Sequence, residues 1–211
     1  RMLCGLLPAS SGSLRVAGVD LRTARAEARR HVGYVAQKFS LYGDQTVREN
    51  LQFFGGAYRL FGAELRRRMA AVVEEFGLQA QLDQMAGKLP GGYKQRLAMA
   101  AALLHQPDIL FLDEATSGAD PLARRDFWRR ITRLAQEGTT IVVTTHFMEE
   151  AEYCDRILIQ DAGRMLALGT PRAVREQAAA GGAAVSDMDS AFIAIVEQRR
   201  REAGRQVEVA A

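Results

Sequence analysis

Two adjacent carboxylates follow an apolar run, a pattern that predicts a catalytic site at the end of a strand. Residues 109–112 are Ile-Leu-Phe-Leu, and Asp113 and Glu114 come directly after them. A carboxylate at the end of a buried parallel strand points into the crevice where α/β folds bind ligands. Asp113 can there hold Mg²⁺, and Glu114 can orient and deprotonate a water that attacks a terminal phosphate. A pair of surface carboxylates capping the next turn is the alternative, and these two residues alone do not decide.

Two further polar side chains follow predicted strands. His146 ends the strand at 140–145, so we expect it at the same sheet edge as Asp113, where it can donate a hydrogen bond to a phosphate. Gln37 ends the strand at 32–36, and its amide carbonyl can contact the metal and move with the helices that follow. A structural histidine and a plain surface glutamine are the alternatives. The location shared with Asp113 favours the functional role for His146.

A glycine pair opens a predicted helix in the sequence Pro90-Gly91-Gly92-Tyr93. Backbone N–H groups at a helix start, with no side chains in the way, form an anion site, although a plain helix-entry turn has the same pattern.

The phosphate-cradling loop G-x-x-x-x-G-K-[ST] is absent from the sequence, because the only Gly-Lys pair in the chain, at 87–88, is followed by leucine. The sequence therefore contains the residues expected to hydrolyse a nucleotide but not the loop expected to bind its phosphates.

Composition indicates an ordinary globular protein. The chain has 211 residues, 48% of them hydrophobic and 25% charged, with a net charge of +3. That charge is too small to demand nucleic acid or an acidic membrane as partner. Two distant cysteines suggest neither a zinc site nor a disulfide, which fits a reducing cytoplasmic setting. No long apolar segment or signal peptide is visible, so a role at a membrane is expected from one side only.

Alternating strands and helices predict an α/β fold with a parallel sheet. Strands are expected at 32–36, 109–112 and 140–145, and a helical lobe at about 38–105 is inserted between the first two. A helix is expected at 121–136, where Asp120 can cap it and Pro121 takes its first position.

The two ends of the chain give weaker patterns. Arg1 falls within an apolar helical pattern that continues to residue 7, so we expect the amino terminus to be truncated. An edge strand is expected over 13–19. Toward the carboxyl terminus, we expect a short helix at 148–153 and a hairpin at 156–168 that extends the sheet. An Ala/Gly-rich linker at 178–184 and an amphipathic helix at 188–200 are expected after it.

These motifs occur in the order and approximate spacing found in the nucleotide-binding domain of ABC transporters, which the chain resembles over about residues 1–175. In that family's terms, Gln37 matches the Q-loop, residues 89–93 the signature motif, 109–114 the Walker B strand, 117–120 the D-loop and His146 the H-loop. The resemblance implies a P-loop NTPase fold: a parallel sheet core, an inserted helical subdomain and edge antiparallel strands. The N-terminal strands and the P-loop of that fold are expected to be missing from the sequence given. Residues 176–211 remain a C-terminal linker and amphipathic helix.

The resemblance also implies roles for these residues, with ATP and Mg²⁺ as cofactors. Glu114 and His146 are catalytic, and Asp113 and Gln37 hold the metal. The residues implied to contact nucleotide are Gln37, Pro90, Gly91, Gly92, Tyr93, Ser117 and Asp120.

The stretches 38–42, 46–51 and 120–125 look most like ATP-binding subunits of bacterial ABC-2 type exporters, including multidrug efflux systems. That group implies a separate ABC-2 permease docked near 39–58, at the cytoplasmic face of the inner membrane, and no nucleic acid. It also implies a second ATPase domain, as a homodimer or a tandem fusion, that sandwiches ATP head to tail. A soluble relative acting on ribosomes and a catalytically silent half remain the alternatives.

Two departures from the family pattern carry expectations. Without a P-loop, the chain as given is expected to bind ATP weakly and to be inactive alone. Pro90 and Tyr93 replace the common Ser and Gln of the signature, and Pro90 removes a hydroxyl and an N–H. Because the signature acts in trans, this loss is expected to weaken the partner's site.

Overall fold

The computed structural model describes residues 2–182 and 184–209 and consists of two compact units, Arg1–Thr144 and Thr145–Ala211. The first unit opens with a short antiparallel hairpin and a helix, namely β1 (Arg15–Val16), β2 (Val19–Asp20) and α1 (Arg25–Arg30). The prediction of one edge strand over 13–19 is wrong. Ala17 and Gly18 both take positive φ angles, 49° and 76°, and reverse the chain between the strands.

The predicted helix at the amino terminus is also absent. Residues 2–7 form turns, and Gly5 takes a φ of +66°, which an α-helix does not contain. Cys4 is nevertheless buried and joins a small apolar cluster with residues of β1 and α1. The four apolar residues on which the predicted helix rested are all exposed, namely Met2, Leu3, Leu6 and Leu7, so their spacing marked neither the local conformation nor a buried face.

Three parallel strands form the central sheet of the first unit, in the order β3–β4–β5: β3 (Val32–Val35), β4 (Ile109–Asp113) and β5 (Thr140–Thr144). The three predicted strands are confirmed to within one residue at each end. Pairing places Asp113 directly beside Thr144 at the carboxyl edge. The apolar run before Asp113 forms a strand because Leu110, Phe111 and Leu112 are all buried.

The segment between β3 and β4 is helical, as expected. Its elements are α2 (Val47–Ala57), α3 (Gly62–Phe76), 3₁₀ turns at Gln79–Gln81 and Ala86–Lys88, and α4 (Gly91–Leu103). Thr46 and Glu49 form a reciprocal capping box that starts α2. Helix α3 ends at Gly77, whose φ of 61° terminates the hydrogen-bonding pattern. Helix α4 packs on the sheet at Gly33, where the absence of a Cβ lets the two backbones approach closely.

Helix α5 (Pro121–Gln136) connects β4 to β5 and has the bounds that the sequence predicts. Asp120 caps it, because its Oδ1 accepts a hydrogen bond from the Ala123 N–H at 2.9 Å. Four buried apolar side chains anchor one face of the helix, an adjacent pair followed by residues three positions apart: Phe127, Trp128, Ile131 and Leu134.

The second unit combines a hairpin with three helices: α6 (Met148–Ala151), β6 (Ile157–Asp161), β7 (Arg164–Gly169), α7 (Pro171–Ala180) and α8 (Met188–Val209). The predicted hairpin is present, but β6 and β7 form a two-stranded sheet of their own instead of extending the parallel sheet. Their inward residues Ile159 and Ala167 pack in a core cluster with α7 and α8.

The predicted linker begins later than expected, because residues up to Ala180 belong to α7 and Ala178 is buried in that cluster. Ala183 of the linker and residues 210–211 lie outside the described residues. Helix α8 begins at Met188, as predicted, and extends beyond 200. In the part of the chain that the structure describes, no helix has the length and apolarity needed to cross a membrane.

Candidate functional site

Asp113 ends β4 with both carboxylate oxygens engaged. The Tyr34 hydroxyl donates to Oδ2 at 3.1 Å, and the Thr144 hydroxyl donates to Oδ1 at 2.7 Å. Strands β3 and β5 flank β4, so the register of the parallel sheet puts both donors on the same face as Asp113. A half-buried carboxylate is thereby held at the sheet edge in one orientation.

Glu114 turns away from the strand and meets Gln37. Its backbone has a φ of 46°, an uncommon conformation for a non-glycine residue, and its N–H still donates to the Thr144 carbonyl at 3.0 Å. The Gln37 Nε2 donates to Glu114 Oε2 at 2.7 Å. Two residues that the sequence analysis selected separately, 77 positions apart, are thus in direct contact.

A tight turn links Glu114 to α5. The Ser117 N–H donates to the Glu114 carbonyl at 3.0 Å, and Gly118 takes a φ of 77° that favours glycine. Ser117 is exposed, while Asp120 has its side chain committed to capping α5. The Gln95 amide of α4 donates to the Ala115 carbonyl, so this turn is tied to the helix that begins at the glycine pair.

The start of α4 is open to solvent. Pro90 precedes the helix and makes no side-chain capping bond, while Gly91 and Gly92 are exposed, with nothing within 4 Å of a Cβ added at either one. Tyr93 is half-buried beneath the Arg96 guanidinium, whose carbon lies 5.2 Å from the ring centroid. The predicted geometry of an unobstructed helix N-terminus is confirmed, and its role in anion binding stays a prediction.

His146 belongs to the second unit, where its ring lies 4.2 Å from that of Phe147, centroid to centroid. It lies two positions after the end of β5, whereas the predicted strand bounds put it directly after the strand. Its place beside the Asp113 edge remains a prediction.

The donor set at the Asp113 edge fits a magnesium ion. Asp113 and Gln37 offer hard oxygen ligands, and Mg²⁺ is commonly held by one or two carboxylates together with water and phosphate oxygens. Among the described residues, no group of three or more His, Cys, Asp or Glu side chains is placed to hold a metal alone. Any metal here would therefore depend on ligands from nucleotide and water.

A second surface feature is a cavity of about 550 Å³ in the first unit. Its walls come from α1, β3, α4 and the end of α2, and four cations are among its lining residues: Arg29, Arg30, Lys38 and Arg59. No acidic side chain is among the described residues that line it. Close by in sequence, Tyr42 and Phe53 are exposed and pack edge to face at 4.8 Å.

Three functional candidates escaped the sequence analysis. Tyr34 and Thr144 hold Asp113, and Gln95 holds the turn after Glu114. The strand register could have identified two of them, Tyr34 and Thr144. Once the order β3–β4–β5 is known, positions 34 and 144 fall on the same face as Asp113.

A family model described as ABC transporter matches residues 1–117, which is more than half of the chain. The fold agrees with that match, and the chain belongs to the ABC transporter family. The predicted family and the predicted P-loop NTPase type of α/β fold are thereby confirmed.

Among curated proteins, the chain is 48% identical over 202 residues to the probable multidrug ABC transporter ATP-binding protein YbhF of Escherichia coli (strain K12). That match covers 96% of this chain and 35% of YbhF. The linearmycin resistance ATP-binding protein LnrL of Bacillus subtilis (strain 168) is 39% identical over 80% of this chain and 55% of its own. Nod factor export ATP-binding protein I of Burkholderia orbicola (strain AU 1054) is 41% identical, over 83% and 58%. The chain thus spans between about a third and three fifths of these relatives.

Solved structures agree with the sequence match. A structure described as the ATP binding subunit of an ABC transporter superposes with a TM-score of 0.80 at 29% identity, over 92% of this chain and 80% of its own. The protein cbiO1 from Clostridium perfringens, described as part of the ABC transporter complex cbiONQ, gives 0.73 at 26% identity, over 85% and 74%.

Proposed function

We propose that this chain is the core of an ATPase subunit that energises export across the bacterial inner membrane, through a separate ABC-2 type permease. The observation that carries the proposal is the arrangement at the sheet edge. Glu114 is held by Gln37 at 2.7 Å, next to an Asp113 carboxylate fixed by two hydroxyl donors. The export role rests on relatives whose names include multidrug transport, linearmycin resistance and Nod factor export.

In this proposal the two carboxylates divide the chemistry. MgATP, when bound, supplies the terminal phosphate that is transferred to water. Asp113 would hold the metal, and Glu114 would accept a proton from the water that attacks the terminal phosphorus, with ADP as the leaving group. Gln37 donates from its Nε2 to Glu114, and its Oε1 would be available as a ligand to the metal.

The remaining predicted residues act around this pair. His146 donates a hydrogen bond to the terminal phosphate and helps hold the attacking water. Ser117 and Asp120 lie on the turn that faces a second ATPase domain. In that domain's site, the open N–H groups of Gly91 and Gly92 contact nucleotide in trans. Pro90 weakens that trans site, because it contributes neither a hydroxyl nor an N–H.

The permease docks on the first unit, over residues 39–58. Tyr42 and Phe53 supply exposed aromatic area, which is enriched in protein interfaces. The cavity beside them adds apolar walls and an unbalanced positive charge. Docking here would place the subunit peripherally, at the cytoplasmic face of the membrane.

Affinity purification of the native protein from solubilised membranes tests the coupling to export. The proposal predicts that a permease subunit co-purifies and that the complex hydrolyses MgATP. Co-purification of ribosomes in its place would support a soluble ABC ATPase. A permease complex without hydrolysis would support a silent half that donates only its signature helix.

A further inference from the structure

The Asp113 carboxylate needs external restraint to present a defined oxygen to a metal. The terminal torsion of an aspartate side chain is broad, so the carboxylate rotates easily unless hydrogen bonds fix it. Thr144 restrains Oδ1 from the neighbouring strand β5. On the opposite side, the Oδ2 atom accepts from Tyr34, which lies 79 residues earlier on β3.

The Tyr34 ring is itself fixed by packing. It contacts the buried cluster that contains Cys4, Val32 and Phe111, and it also lines the cavity of the first unit. Strand pairing sets Tyr34 directly beside Phe111, two residues before Asp113. The phenol therefore reaches the carboxylate from a rigid strand, which gives its hydroxyl a preset position.

We propose that Tyr34 is a positioning residue for the metal site, and this proposal rests on the function proposed above. Its hydroxyl holds Oδ2 so that a remaining lone pair of the carboxylate faces Mg²⁺. A carboxylate oxygen can accept such a bond and still coordinate a cation, because it offers more than one lone-pair direction. Hydrogen bonds to metal-ligating groups orient them, and losing one typically costs about 10- to 100-fold in metal affinity.

Manganese binding in the native protein tests this proposal without turnover. Electron paramagnetic resonance counts free Mn²⁺ as it is titrated into protein saturated with a non-hydrolysable ATP analogue. Tyr34→Phe keeps the ring and removes the hydroxyl, so the Mn²⁺ affinity should fall by about 10-fold. The melting midpoint, measured without metal, should stay close to that of the wild type, because the ring packing is retained.

Tyr58→Phe is the matched control. Tyr58 lines the same cavity and stacks on His105 at 3.5 Å, so the substitution removes a hydroxyl from the same wall at another place. Its Mn²⁺ affinity should equal that of the wild type. An equal loss in both variants would mean that the effect comes from the cavity wall and would overturn the assignment.

The outcomes separate this proposal from the function on which it rests. Failure of the wild-type protein to bind Mn²⁺ in the presence of nucleotide would overturn both the proposed function and the positioning role of Tyr34. If the wild type binds Mn²⁺ and the affinity of Tyr34→Phe for Mn²⁺ is within two-fold of the wild-type value, the positioning role alone is overturned.

If Tyr34→Phe does not fold, 3-fluorotyrosine introduced at position 34 serves instead. Its ¹⁹F resonance should shift on addition of Mg²⁺ with nucleotide and should not shift in Asp113→Asn, and no shift in either protein overturns the proposal.

Discussion

Gly33 is the position where strand β3 and helix α4 approach too closely for any side chain, and Gly33→Ala tests the packing of the site's scaffold. A Cβ at this position would lie 2.6 Å from the Ala102 carbonyl oxygen, 2.9 Å from Leu110 Cδ1 and 3.0 Å from Pro107 Cγ. The nearest atom belongs to the backbone of α4, so relief requires moving the strand or the helix. Strand β3 carries Tyr34 and leads into Gln37, and both residues would shift with it.

Two opposing effects set the size of the change. Adding volume to a packed core costs about 1–3 kcal/mol, and the upper part of that range applies because the clash is with backbone. Replacing glycine by alanine also restricts the unfolded chain, which offsets roughly 0.4–1 kcal/mol. The free energy of unfolding should therefore fall by about 2 kcal/mol.

Urea denaturation of the 211-residue chain, followed by fluorescence, measures this change. Trp128 is the only tryptophan and is buried in the first unit, so it reports the unit that contains Gly33. Gly56→Ala is the matched control, because a Cβ there, within α2, meets nothing within 4 Å. That substitution should raise stability by up to about 1 kcal/mol. An unchanged or raised stability for Gly33→Ala would refute the close approach of β3 and α4.

Two further predictions concern stability. Burial lowers the pKa of His105 to about 4 from 6.5. The unfolded histidine therefore gains a proton as the pH falls below 6.5 while the folded one stays neutral, and stability should drop by about 2 kcal/mol between pH 7 and pH 5. His105→Phe keeps a ring against Tyr58 without titrating, so urea unfolding at both pH values should show a smaller drop, and an equal drop would count against the shifted pKa. Asp120→Ala removes the cap of α5 and should cost about 1 kcal/mol in the same assay, whereas Asp120→Asn should cost less, and equal stability of Asp120→Ala and wild type would contradict the capping role.

The elements nearest the site were predictable because their sequence signals are local and strong. The apolar run at 109–112 is too short for a buried helix and ends in carboxylates, so only a strand fits. Asp120 and Pro121 define the start of α5 through capping and a fixed φ angle. Gln37 and Glu114 were each predicted as site residues but not as partners, and their contact is explained by strand ends that share one sheet edge.

The errors arise where the conformation depends on tertiary contacts. Ala17 takes a positive φ that its residue type does not favour, so the hairpin at 15–20 looked like one strand. Ala178 looked like part of a linker because alanine and glycine surround it, yet burial against α8 holds it in α7. Propensity alone does not report such packing.

The role of Tyr34 could not be predicted for a different reason. A tyrosine within a strand has an ordinary packing explanation, and its partner Asp113 is 79 residues away. Only the order β3–β4–β5 places the two side chains on one face, and strand order is a global property of the fold.

The rate of MgATP hydrolysis by the native protein with Glu114→Gln tests the central claim most directly. Glutamine keeps the shape of Glu114 but cannot accept the proton, so the rate should fall at least about 100-fold while nucleotide binding persists. Glu74→Gln makes the same chemical change at an exposed position on α3 and should leave the rate unchanged. A Glu114→Gln protein that hydrolyses MgATP as fast as wild type would contradict the assignment of Glu114 as the catalytic base.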